Sequence, residues 1–335
     1  MKGAANVDIY QAHLMSSSKL KMKALGKLAE GTTATDFEAC VLLHEAARSE
    51  EAALASLPMA PAETRLATAI ELCWCLVAGR DPPGAATAWG EILRLCTVVG
   101  SKNAQPMLSR IEPLYMRAHD DFVKRLSKCK GLAAARASRV LVPSSDSEAK
   151  KTLVEVEDIL KHYPGAPSLW WAKYRLLEHL HRVKEAWDAL LRARQLEPQR
   201  ASFLATSLLL SVRARSATEA SEYVASIRSR LESAGAEVCL FYALAMIELA
   251  HKGAREERLA AARDAANAGL AQAGSTSMRN ALLAAQLLLV ALDHGEKPTL
   301  DIFYRADLGD IAASMPAGIV ALSTVVNAVA SLAAA

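Results

Sequence analysis

The chain has 335 residues, of which 52% are hydrophobic but only 5% aromatic, and a formal net charge of +3. That apolar content excludes wholesale disorder, and so small a charge excludes bulk attraction to nucleic acid. Abundant Ala and Leu with only 16 Gly and 12 Pro favour helices over strands, because straight-chain residues lose little entropy in a helix.

Apolar residues recur at three- and four-residue spacing along almost the whole chain, and no alternating run is long enough for a strand. Met1–Tyr10 is short of apolar residues and lacks a cleavage pattern, so no export signal is expected there. Lys19, Lys23 and Lys27 then line one helix face. Gly26–Thr33 lacks the Gly-Lys-Ser/Thr order of a phosphate loop. Breakers at Gly31-Thr32-Thr33, Pro58 to Pro61, Gly79 to Gly84 and Gly100 to Pro106 divide the first third into helix-length segments. One of these helices begins near Glu63 and ends before Gly79. Inside it, Cys73-Trp74-Cys75 has the wrong spacing for a zinc knuckle, and core filling is the better account of both thiols. The six cysteines form no disulfide framework. Reduced thiols without an export signal point to the cytoplasm. Residues 1–102 are expected to form an N-terminal helical array.

Residues 103–150 break the regularity. Pro106 and Pro113 interrupt the start, and a basic run follows: Arg117, Lys124, Arg125, Lys128, Lys130, Arg136 and Arg139 against Asp120 and Asp121. The run could track phosphates, but Phe122 alone interleaves it, so base stacking has little support. A solvated helix face is the simpler account. Ser144-Ser145-Asp146 then caps a helix running to His162.

Residues 151–298 carry internal repetition. Trp170, Leu177, Ala186, Leu190, Ala193 and Pro198 follow in order, and 34 positions later Leu204, Ala220, Val224 and Ile227 recur in the same register. Ala186 and Ala193 let two helices approach, Leu190 fills the gap, and Pro198 marks the turn to the next unit. Leu240-Phe241 and Ile247-Glu248 echo Trp170-Trp171 and Leu177-Glu178. Ala39–Leu43–Ala46 and Ala85–Trp89–Ile92 repeat the second-helix spacing more weakly.

This order resembles the tetratricopeptide-repeat family, with bulky Tyr174 and charged Lys173 as departures from its pattern. The resemblance implies an all-α, right-handed α-solenoid of antiparallel helix pairs, about fifteen helices in all. It also implies a concave surface offering Trp171, Arg175, Glu178 and His179, then Leu209 and Arg213, then Phe241 and Glu248. Such a groove suits a partner peptide or helix with apolar anchors and acidic flanks.

Glu178-x-x-His181 and Glu248-x-x-His251 place carboxylate and imidazole on one helix face, as di-iron proteins do. The further carboxylates such a site needs are missing, and repeat register accounts for both pairs. No Gly-x-Ser-x-Gly is present, and no Cys–His pair stands out. No metal, cofactor or catalytic residue is therefore expected. Residues 299–335 are read as C-terminal capping helices. Ile311–Ala335 carries no ionisable side chain. Within it, 316–335 shows one apolar stripe that could dock on the last repeat, on a partner or on a bilayer, with a tail anchor disfavoured by its Ala-rich composition. The leading expectation is a cytoplasmic adaptor or regulatory scaffold, one that would hold a partner such as an effector enzyme, a protease or a signalling protein. The alternative is a nucleic-acid-binding regulator using 117–139.

Overall fold

The computed structural model describes residues 2–293 except 57, 59, 130, 132–144, 251 and 252. Among these the chain is all-helical, without strands. Two compact units divide it, one ending at Glu197 and the other starting at Pro198. That boundary falls inside the array expected over 151–298. The C-terminal segment 299–335, with its apolar stripe at 316–335, lies outside the described residues.

The first unit contains α1 (Lys2–Glu30), α2 (Thr33–Ser56), α3 (Ala62–Ala78), α4 (Pro82–Val99), α5 (Ser101–Leu108), α6 (Glu112–Leu126), α7 (Asp146–His162), α8 (Pro167–His179) and α9 (Val183–Leu196). Each of α1 to α4 packs on its successor, α6 packs on α3 and α4, and α7, α8 and α9 pack in turn. α2 is shared by both groups, because α9 also packs against it. Its sequence explains this. Ala39, Cys40, Leu43, His44, Ala46, Ala47, Glu50 and Ala53 are all buried, a face far wider than one stripe. Most of these side chains are small, so neighbouring helices come close.

The capping residues act where the sequence places them. Gly79 caps the C-terminus of α3, and Ser145 caps α7 by accepting from the Glu148 N–H. Asp81 caps α4, its Oδ1 accepting from the Gly84 N–H at 3.1 Å. Cys73 and Cys75 are fully buried and fill the core, and burial pushes both thiols up to about 12.

The turns after α3 and α7 meet closely. A Cβ on Gly165 would sit 1.7 Å from the Gly79 carbonyl oxygen, so only glycine fits. His44 reaches the same turn: its Nε2 lies 2.8 Å from the Gly165 carbonyl oxygen. A carbonyl can only accept, so Nε2 carries the hydrogen. Four residues along α2, Arg48 Nη1 donates to the Leu196 carbonyl at 2.7 Å.

The α8–α9 pair shows how the expected repeat residues pack. Trp170, Leu177, Ala186, Leu190 and Ala193 are all buried. The two departures find local partners. Tyr174 is fully buried, and its hydroxyl donates to Glu178 Oε2 at 2.8 Å. Lys173 pairs with Glu157 at 2.7 Å and lies over the Trp170 ring.

The second unit begins with α10 (Ala201–Ala214) and α11 (Ala217–Ile227), each starting 34 positions after its counterpart in the α8–α9 pair. A 3₁₀ turn (Arg228–Arg230) and the short α12 (Leu231–Ala234) follow, then α13 (Ala236–Ala250), α14 (Arg255–Gln272) and α15 (Thr276–Asp293). Ser216 and Glu219 form a reciprocal capping box at the start of α11. α13 is the centre of this unit, with α10, α11, α14 and α15 all packing on it. Gly269 of α14 is required by that packing: a Cβ there would lie 2.8 Å from Cys239 Cβ.

Candidate functional site

The expected groove residues divide between the two units. Trp171, Arg175, Glu178 and His179 share one face of α8. Trp171 is half-buried, its ring centroid 4.9 Å from that of Tyr174. Arg175 is only 5% exposed; its Nε has no hydrogen-bond acceptor and stands 3.9 Å from Glu178 Oε2. His179 Nε2 lies 3.4 Å from Asp146 Oδ1. In the second unit Leu209 and Phe241 belong to the buried core, closed off from solvent. Glu248 is half-buried on α13, and the Arg213 side chain lies outside what is described.

Glu178 is engaged by Tyr174, whereas His181 lies beyond the end of α8 in a left-handed conformation, φ 57°. The two therefore do not share a helix face; His251 is outside the described residues. No group of three His, Cys, Asp or Glu among the described residues could hold a metal. In the basic segment, Arg117, Lys124 and Lys128 are exposed, while Arg125 pairs with Asp121 at 2.9 Å. Phe122 packs edge-on against Tyr163 and is buried, so it cannot stack on a base. Lys130, Arg136 and Arg139 are outside the described residues. No helix among the described residues is long and apolar enough to cross a membrane.

The first unit opens instead into a groove of about 1200 Å³ between α1, α2 and α9. Phe37, Val41 and Leu42 of α2 and Leu191 of α9 give it an apolar floor. Lys23 and Lys27 line the α1 side, and Asp188 and Arg192 the α9 side. Lys27 is neutralised by Glu38 at 3.0 Å and Glu30 at 3.9 Å. Lys23 and Arg192 have no carboxylate partner among the described residues.

Arg192 lies over two aromatic rings. Its guanidinium carbon lies 4.8 Å from the Trp170 ring centroid and 5.2 Å from that of Phe37. The two rings meet edge to face at 5.9 Å, and Trp170 Nε1 is tied to the Pro164 carbonyl at 2.7 Å. A guanidinium over aromatic rings still has N–H donors to offer a planar acceptor such as a carboxylate. The aromatic pair thus positions an unneutralised, fork-shaped cation above an apolar floor. Lys23 and Lys27, expected only to share one face of α1, line this groove, whereas Arg192 and Phe37 are not among the residues the sequence singles out. The signal for Arg192 was the i, i+3, i+4, i+7 set Asp188, Leu191, Arg192 and Gln195 on α9, exposed except for the half-buried Leu191.

A second groove, about 730 Å³, lies over α3 between α1 and the α5–α6 turn. A polar chain crosses it. The Ser17 hydroxyl donates to Glu50 Oε1 at 2.6 Å, and the Lys21 ammonium bridges Glu50 Oε1 at 2.9 Å and Glu71 Oε2 at 2.7 Å. Burial opposes the charge on Lys21, but the hydrogen bonds to Glu71 and Glu50 outweigh it and keep its pKa above the ordinary value. The Glu50 side chain is 2% exposed, and its Oε2 has no partner. Leaving a buried acceptor unpaired costs about 1–3 kcal/mol, and more for a charged one.

No family model, curated protein or solved structure matches the chain. The functional reading therefore rests on geometry.

Proposed function

We propose that the protein is a non-catalytic interaction scaffold, a tetratricopeptide-like right-handed stack of helix pairs, in which the α1–α2–α9 groove holds an acidic segment of a partner protein. The observation that carries this reading is Arg192, its guanidinium over the Trp170 and Phe37 rings and without a carboxylate partner among the described residues. The groove volume supports the same conclusion. At about 1200 Å³ it exceeds the roughly 300–1,000 Å³ usual for small-molecule pockets and suits a stretch of polypeptide. A partner carboxylate pairs with Arg192, a second acidic residue lies near Lys23, and apolar side chains cover Phe37, Val41 and Leu191. The partner's own activity is then positioned or regulated, without chemistry by this chain.

Selection of peptides from a random display library tests the proposal. Enriched sequences should combine a carboxylate with apolar neighbours. Arg192→Glu should weaken their binding at least roughly tenfold, and the melting temperature should stay within about 2 °C, since the side chain is exposed. Equal binding to the parent and to Arg192→Glu would remove the basis for the reading.

A further inference from the structure

We propose that the second groove, over α3, is a binding site for a small amphipathic cation, an ammonium group carried on an apolar body. The inference is independent of the peptide groove and uses none of its residues.

The polar chain across this groove has one ammonium and two carboxylates. Lys21 already bridges Glu50 and Glu71, yet one oxygen on the buried carboxylate remains without a donor. A buried, unpaired carboxylate oxygen calls for a hydrogen-bond donor, and a positively charged one also offsets the excess of acid over base in that chain. Glu71 is 54% exposed, so a ligand entering from solvent meets it first and then reaches Glu50, bridging the two as Lys21 does. Arg110, across the groove, is exposed and bonded to neither carboxylate.

The surroundings accept both ends of such a molecule. The Trp74 ring already lies 5.9 Å beneath the Lys21 ammonium and provides a face on which a cation is favoured. Ile70, Met107, Leu25 and Leu114 line the apolar part of the groove, and the last two are nearly half exposed. A volume of about 730 Å³ lies within the range of small-molecule pockets. An apolar lining with a few convergent polar groups is how such pockets fix orientation. An anionic ligand is disfavoured, because it would face Glu50 and Glu71 beside a half-buried Lys21 that both carboxylates already share.

Calorimetric titration of the full chain with hexylamine, hexanol and hexanoate isolates the charge while holding the apolar body constant. Hexylammonium should bind, and hexanol and hexanoate should bind at least roughly tenfold more weakly. Glu50→Gln should reduce hexylammonium affinity at least roughly tenfold, because the amide nitrogen cannot accept. Glu71→Gln, at an exposed position that does not threaten folding, should reduce it several-fold and carries the test if Glu50→Gln fails to fold. Glu63→Gln, exposed at the start of α3 and outside the groove, should change nothing. The proposal is overturned if hexylamine does not bind, if hexanol binds as well as hexylamine, or if Glu71→Gln leaves the affinity intact.

Discussion

Replacing Asp81 by Asn should stabilise the protein, and by an amount that grows with pH. Asp81 is 2% exposed and caps α4 through the Gly84 N–H. Burial raises its carboxyl to about 7; the Gly84 hydrogen bond opposes the rise and the charge on Glu197 adds to it. A carboxyl whose folded pKa is raised stabilises the native state below its unfolded value near 3.8. That contribution is lost as pH climbs through about 7. A shift of roughly three units corresponds to about 4 kcal/mol, an upper figure because relaxation and water entry reduce such penalties in real interiors. Asparagine accepts from the Gly84 N–H as well as aspartate does and is an equally good N-cap, but it cannot ionise. His44, 3.8 Å away, works in the opposite sense. Burial lowers its pKa to about 4, so its contribution is present above 6.5 and lost as pH falls through about 4. Both proteins carry His44, and it is neutral in the folded state at about pH 8, where the difference is read. Urea unfolding of parent and Asp81→Asn across pH should show near equality at about pH 4 and a gain of about 2–4 kcal/mol by about pH 8. A constant loss at every pH would mean that Asp81 is ionised and stabilising as a charged cap, which would refute the argument.

Gly165→Ala should destabilise the first unit by more than about 3 kcal/mol, read by thermal melting, because the new methyl group meets the Gly79 backbone rather than a side chain that can rotate away. Trp170→Ala should cost about 3–5 kcal/mol, since it removes a buried ring that packs on Phe37, Arg192 and Lys173. Trp171→Ala, at a half-buried position, should cost under about 1.5 kcal/mol. The reverse order of the two melting temperatures would place the helix register one residue away.

The helices and their pairing were legible because the signals are local. Gly79, Ser145 and the small–large–small order Ala186, Leu190, Ala193 each act within one turn or between sequence neighbours. Tyr174 was legible only as an anomaly. Its hydroxyl is satisfied four residues along its own helix, at a carboxylate that the repeat register had assigned to a partner surface. The groove was harder to read. Phe37 and Arg192 meet although more than 150 residues separate them, and no periodicity in either helix encodes that contact. Phe241 illustrates the opposite failure. Register alone put it on a surface, but its segment, AEVCLFYALAMIELA, is apolar on every side except the one carrying Glu237 and Glu248, which is the mark of a helix largely enclosed by others.

The bonds from α2 to the Gly165 and Leu196 carbonyls join positions 121 and 148 residues apart. In an array stabilised by nearest neighbours, a unit can fold as soon as the next one exists. Here α2 must wait. During synthesis it emerges with His44, Arg48 and Phe37 unsatisfied, and it stays so until more than a hundred further residues have left the ribosome. Closing so long a loop is a slow, entropically costly step. The first unit should therefore fold late and cooperatively, with a half-built α2 face that is most prone to misassociate while the chain is still growing.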